Sequence, residues 1–187
     1  MQKNTWVEFC KEESCFITRE FIESLIQKAL ENPLKKYRYC LHQNPESTLH
    51  EMVIVTTKSD MKYPDKHMET TESNIILEGK LLVVLFRENG EIQKTFVLEP
   101  DNVFYYRCEK NQYHMTIPLS DVAVYIEIKE GPFNEKSNVY PVWAPNRKDM
   151  GKLKAFNEKV KAAAMKMLEK GDFDAVLDES GNNNAIQ

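Results

Sequence analysis

The sequence predicts a mostly β protein, a sandwich or barrel with a helix at each end. Three observations predict it. Between about residues 36 and 129 the chain breaks into eight short runs of strand-forming residues at regular spacing, separated by turns. Residues 18–31 and 151–169 instead repeat apolar side chains at helical spacing. The run Leu81-Leu82-Val83-Val84-Leu85-Phe86 is apolar at every position, as expected of a central strand buried on both faces.

In the first helix, Thr18 is a good N-cap and Glu20 places negative charge in the first turn, where it complements the helix dipole. Phe21, Ile22, Leu25, Ile26, Ala29 and Leu30 form one apolar stripe, and Asn32-Pro33 ends the helix. The predicted strands cover 37–42, 50–56, 73–78, 81–87, 92–98, 103–107, 112–117 and 122–129. Asn89-Gly90 between two apolar runs predicts a type I′ hairpin turn. After Gly131-Pro132-Phe133 comes an irregular segment, 134–147, whose Tyr140, Pro141, Trp143 and Pro145 are expected to pack over the barrel. Leu153, Phe156, Val160, Ala164, Met167 and Leu168 give the last helix a buried stripe, with lysines on its solvated face. From about 178 the polar tail is expected to be disordered. No internal repeat is visible, and 1–187 reads as one domain.

Composition narrows the function. A formal charge of −4 argues against a general nucleic-acid binder, which would carry a basic face. No stretch approaches the roughly 20 apolar residues that span a bilayer, and the N-terminus lacks the apolar core of a secretory signal. The expected location is the cytoplasm. Cys10, Cys15, Cys40 and Cys108 include no C-x-x-C pair, so they read as reduced thiols. Cys108 lies near Arg107 and Lys110, which would suit a reactive thiolate; the alternative is a small apolar filler.

The chemistry-bearing stretch is 63–79. Asp65 and His67 are two apart, so both can point the same way from an extended strand. Glu72 follows five residues after His67, Gly79 seven after that, and His114 lies in a later apolar-polar run. Two histidines with one or two carboxylates suit a divalent transition metal.

With those residues in view the chain resembles the cupin superfamily, whose first motif is commonly written G-x5-H-x-H-x3,4-E-x6-G. Asp65-x-His67-x4-Glu72-x6-Gly79 fits, with Asp65 where the first histidine usually stands. His114 resembles the histidine of the second motif, and Pro118 replaces its usual asparagine. The order of Arg38-Tyr39-Cys40-Leu41-His42, His50-Glu51-Met52, the metal motif, Tyr105-Tyr106, His114 and Glu127-x-x-Glu130-Gly131-Pro132-Phe133 is further similar to WbuC-type cupin-fold metalloproteins, over roughly residues 18–145.

The resemblance implies a cupin-type double-sheet jelly-roll barrel with a metal at the bottom of its cup. It implies His67, Glu72 and His114 as ligands, with open positions for water, oxygen or substrate. Asp65 is either a fourth ligand or a hydrogen-bonding or substrate residue. As a ligand it would favour Fe, Mn or Zn over Cu; Ni also remains in the expected set. Glu127 is a candidate base, and Tyr106 a candidate acid. Arg38, Arg107, Lys62 and Lys66 could ring the mouth for an anionic sugar. His42 and His50 read as cavity or core histidines, and Tyr63, Tyr106 and Tyr125 as cavity hydroxyls. The family also implies a homodimer, and a carbohydrate or sugar-nucleotide substrate from surface polysaccharide (lipopolysaccharide/O-antigen) biosynthesis. Metal-assisted isomerase, epimerase or lyase chemistry is the first expectation. An Fe(II) dioxygenase and a non-catalytic sugar-binding module are the alternatives.

Overall fold

A computed structural model describes residues 6–171, so the predicted tail lies outside the described residues. Eleven strands are formed: β1 (Val7–Phe9), β2 (Lys36–Cys40), β3 (Leu49–Thr57), β4 (Lys66–His67), β5 (Glu72–Glu78), β6 (Leu81–Phe86), β7 (Ile92–Leu98), β8 (Tyr105–Cys108), β9 (Tyr113–Pro118), β10 (Val122–Glu130) and β11 (Asn138–Val139). Helix α1 spans Arg19–Glu31 and α2 spans Met150–Glu169. One sheet runs β1-β2-β3-β10-β5-β8 and the other β7-β6-β9. A bridge between Asp65 and His114, with the pair β4–β11, extends the second sheet. The two sheets enclose one interior as a double-sheet jelly-roll barrel, the fold class that the sequence predicts.

All eight predicted strands are present, with ends displaced by at most two residues. The three missed strands are two or three residues long, too short for an alternating pattern to show.

The apolar run of β6 divides as expected. Leu81 and Val83 face the barrel interior with Met52, Ile54 and Ile76, while Leu82, Val84 and Phe86 face outward under α2. The outer face of the other sheet, through Val53, Val55 and Val124, is covered by Ile22, Leu25 and Ala29 of α1. Thr18 caps α1 by accepting the Phe21 N–H at 3.2 Å. Trp143 packs against Phe86, Tyr113 and Phe156, which seats the aromatic segment over the barrel.

Two expectations are corrected. Among the described residues Asn89 does not take positive φ; only Gly90 does in this turn, at 89°. The Gly90 N–H bonds the Arg87 carbonyl, and Arg87 N–H bonds Glu91, so a three-residue loop closes the hairpin instead of type I′. Nor are all cysteines reduced. Cys10 and Cys15 form a disulfide, because the segment before α1 folds back over a five-residue separation. Cys40 and Cys108 are free and buried.

Helix α2 also reaches the cleft described below. Asn157 interrupts its apolar stripe: its Oδ1 accepts the Lys62 N–H at 3.0 Å, and its Nδ2 donates to the Lys62 carbonyl at 2.8 Å. An Asn157→Ala change removes both bonds and leaves the partly buried Lys62 N–H and carbonyl without that partner. It should cost about 1–3 kcal/mol in urea unfolding. An unchanged midpoint would contradict this clamp. Among the described residues no helix is long and apolar enough to cross a membrane.

Candidate metal centre

Side-chain alternation builds the site. On the inner face of the larger sheet, β10 places Tyr125, Glu127 and Lys129, and β5 places Glu72 and Asn74 beside them. Cross-strand register puts Lys129 between His50 and Glu72, and puts Cys108 next to Glu72. His67 and His114 enter from β4 and β9 of the facing sheet. The result is a cleft of about 740 Å³ opening into the barrel.

At one end His67, Glu72 and His114, all buried, bring ligand atoms within 4.8 Å of one another. His67 Nε2 lies 3.0 Å from Glu72 Oε2, and His114 Nε2 lies 3.8 Å from Glu72 Oε1. Ligands bound at about 2.0–2.2 Å stand roughly this far apart around one ion. Asp65 borders the group, its Oδ1 4.0 Å from His114 Nε2.

The outer partners fit a metal. His114 Nδ1 sits 3.0 Å from the Gln112 carbonyl, an acceptor only, so Nδ1 carries the hydrogen and Nε2 the lone pair in the neutral ring. His67 Nδ1 is held at 2.8 Å by Asn138 Oδ1, and Glu72 Oε1 accepts from Asn74 Nδ2 at 2.9 Å. The His114 lone pair therefore faces the oxygens of two carboxylates. A positive charge, proton or metal ion, must sit between them. Fixing the far nitrogen of each ring is what metal-binding histidines require. An Asn138→Ala change should weaken metal binding about 10–100-fold, read by competition with a chromophoric chelator. Unaltered affinity would remove Asn138 from the site.

In the metal-free protein, burial disfavours the His114 imidazolium, but the Cys108 sulfur, Glu72 and Asp65 outweigh it and raise its pKa to about 10. Burial also disfavours the Glu72 carboxylate; His67, His114 and Lys129 outweigh that and hold its pKa well below the usual range. The raised histidine stabilises fully below its ordinary 6.5, and that stability is lost as pH rises through about 10. The depressed carboxylate stabilises above 4.5, and that stability is lost as pH falls. Metal-free protein should therefore be less stable at pH 9 than at pH 6 in denaturant titration, with the difference reduced in a His114→Asn variant. Equal slopes in both proteins would contradict the pairing.

Other predicted residues divide. Arg38, His42, His50, Tyr63, Tyr125, Glu127 and Lys62 all line the cleft. Glu127 Oε1 stands 3.9 Å from Arg38 Nη2. His42 and His50 stack at 4.0 Å with rings 10° from parallel. Burial, then His50, lowers the His42 pKa. Burial, then Glu127 and Glu72, pushes Tyr125 well above its ordinary value.

Arg107 does not reach the cleft. It alternates outward on β8, is half exposed, and pairs with Glu109 at 3.2 Å. It therefore cannot activate Cys108, which points inward to lie 3.5 Å from His114 Nδ1. Lys66 also points away, pairing with Glu88 at 2.6 Å above the Tyr113 ring. Tyr106 is buried in the interior cluster without lining the cleft, and its hydroxyl has no partner among the described residues. Sequence reasoning missed Asn74 and Lys129, which alternation from Glu72 and Glu127 would have found. It also missed Lys36, Asn138 and Arg147; of these only Lys36, two before Arg38, carried a signal.

A profile described as a domain of unknown function (DUF6016) matches residues 17–98. No curated protein sequence matches the chain. Among solved structures, a capsular polysaccharide assembling protein, CapF, from Staphylococcus aureus is similar at 15% identity and TM-score 0.47, over 56% of this chain and 31% of that one. An oxalate decarboxylase from Lactobacillus farciminis, in a formate complex, is similar at 15% identity and TM-score 0.42, over 50% and 27%. The Bacillus subtilis oxalate decarboxylase, a protein with Mn(II) centres, is similar at 16% identity and TM-score 0.41, over 50% and 24%. The chain thus spans less than a third of the length of each.

Proposed function

We propose that this chain is a metal-dependent cupin acting on a small carbohydrate-type molecule by metal-assisted proton transfer, as an isomerase, epimerase or lyase. The observation that carries the reading is the pair of buried imidazole Nε2 atoms turned toward Glu72, each ring fixed from behind by Asn138 or by Gln112. His67, Glu72 and His114 would hold a divalent ion, Fe, Mn, Zn or Ni, with Asp65 beside it. When bound, such an ion polarises a carbonyl or hydroxyl oxygen of the substrate. Glu127 is the base: inward-facing, in the row next to Glu72, with its Oε1 3.9 Å from Arg38 Nη2. Tyr125 and Tyr63 offer hydroxyls to a sugar. His50 donates its Nε2 hydrogen to the Pro45 carbonyl at 3.2 Å, so its Nδ1 can accept. The resemblance of residues 18–145 to WbuC-type proteins supports a substrate from surface-polysaccharide assembly.

The test is exchange of substrate carbon-bound hydrogen with D₂O, followed by NMR over a panel of sugars and sugar nucleotides with metal-loaded protein. Exchange that Glu127→Gln abolishes while metal content is retained supports the reading. Oxygen uptake with Fe(II) and no exchange would favour a dioxygenase. Saturable sugar binding with neither would favour a binding module.

A further inference from the structure

The cleft's other end is cationic, and no metal chemistry accounts for it. Lys36, Arg38, Lys62 and Arg147 all line it. Arg38 stands two residue rows along and three strands across from Glu72 on the inner face. Two carboxylates oppose the four cations: Asp60, 2.7 Å from Lys62 and 3.7 Å from Lys36, and Glu127, 3.9 Å from Arg38. Four charges against two leave a surplus of two. Glu135 lines the opposite, His67 side of the cleft, three residues before Asn138, and Lys129 adjoins Glu72.

The cations are held in place. The Arg147 guanidinium lies 4.2 Å from the Tyr140 ring centre and 5.6 Å from that of Tyr63. Lys36 and Arg38 stand over Trp6 at 4.7 and 5.2 Å. The backbone of Lys62 is clamped by Asn157. The Arg38 Nε–H is buried with no hydrogen-bond partner among the described residues, while the rest of the side chain stays partly exposed, so a ligand in the cleft would meet the guanidinium at its Nη atoms. Lys36 responds to the crowding: burial lowers its pKa, Asp60 opposes, and Lys62, Arg38 and Arg147 lower it further.

We propose that this end of the cleft is a phosphate subsite, holding the phosphoryl group of the molecule whose polar part reaches His67, Glu72 and His114. A carboxylate would balance only half of the surplus charge, whereas a phosphate monoester carries about −1.5 to −2 at neutral pH. Guanidinium groups meet phosphate oxygens with paired N–H donors, and Arg38 and Arg147 supply two such groups. Stacked aromatic rings hold Arg147 in place before a ligand arrives. The part of this inference that joins the subsite to the metal end rests on the function proposed above; the subsite itself does not.

The test is calorimetric titration of the full chain with inorganic phosphate, sodium acetate and sodium chloride at matched ionic strength. A second arm compares glucose 1-phosphate with glucose. Phosphate should bind where acetate and chloride do not, and the sugar phosphate should bind at least tenfold more tightly than the sugar. Arg147→Gln, an exposed position that leaves the core intact, and Arg38→Gln should each weaken phosphate binding about tenfold or more. The titrations with inorganic phosphate use metal-free protein, so failure of the metal reading would not mimic failure here. Equal responses to phosphate and chloride, or unaltered binding by Arg147→Gln, would overturn the subsite.

Discussion

Mn(II) or Zn(II) added to metal-free protein raises its unfolding temperature, and the His67→Ala, His114→Ala variant shows no such rise. A ligand present at a thousand times its dissociation constant stabilises the folded state by about 4 kcal/mol. For a domain of this size that is roughly 8–16 °C. The ion replaces the proton that otherwise separates the His114 lone pair from the Glu72 and Asp65 oxygens. The double variant has a second consequence. Glu72 stays buried after losing both imidazoles, so the variant itself unfolds at a lower temperature than the metal-free parent. Scanning calorimetry with and without metal separates the two effects. A metal-induced rise of equal size in the variant would place the ion elsewhere.

Gly131→Ala should damage the cleft from outside its lining. A Cβ at Gly131 would stand 2.0 Å from the Ser47 carbonyl oxygen and 2.7 Å from the His50 ring. The carbonyl belongs to the backbone and cannot swing aside, so the loop before β3 must move. His50 stacks on His42, and its Nε2 bonds Pro45 in that same loop, so the histidine pair moves with it. Overpacking of this kind costs about 1–3 kcal/mol or more. The check is the urea midpoint together with His42 and His50 ring resonances in NMR. Parent-like stability and unshifted ring signals would contradict the contact.

Much of the fold was legible because burial writes a period into sequence. Leu81–Phe86 is apolar at every position because its alternate residues face the interior and α2, and no other placement buries both sets. The cluster of His67, Glu72 and His114 was legible for a different reason. His67 and Glu72 flank a turn between two strands, and their spacing is set by local geometry. His114 stood out as a histidine in a later apolar-polar run, the resemblance made it the third ligand, and the structure brings it within reach of both.

What failed has physical causes. Arg107 follows a tyrosine in a strand, as Arg38 does, yet alternation turns Arg38 inward on β2 and Arg107 outward on β8. Deciding which parity faces inward needs the sheet register, which one strand's sequence does not contain. Asn138 and Arg147 lie in an irregular segment without a repeating pattern, and they meet the cleft only through long-range packing. Asn157 breaks an apolar stripe, which a periodicity count treats as noise; its purpose is visible only once Lys62 lies beneath it. The Cys10–Cys15 disulfide was missed because the spacing matched no C-x-x-C framework. It also removes reduced thiols as an argument for a cytoplasmic location.

The most direct test of the central claim is metal analysis of the protein purified without a histidine tag, beside the His67→Ala, His114→Ala variant. Near-stoichiometric Fe, Mn, Ni or Zn in the native protein, absent from the variant, is the predicted result. No metal in either protein, even after reconstitution with each ion, would contradict a metal centre at His67, Glu72 and His114.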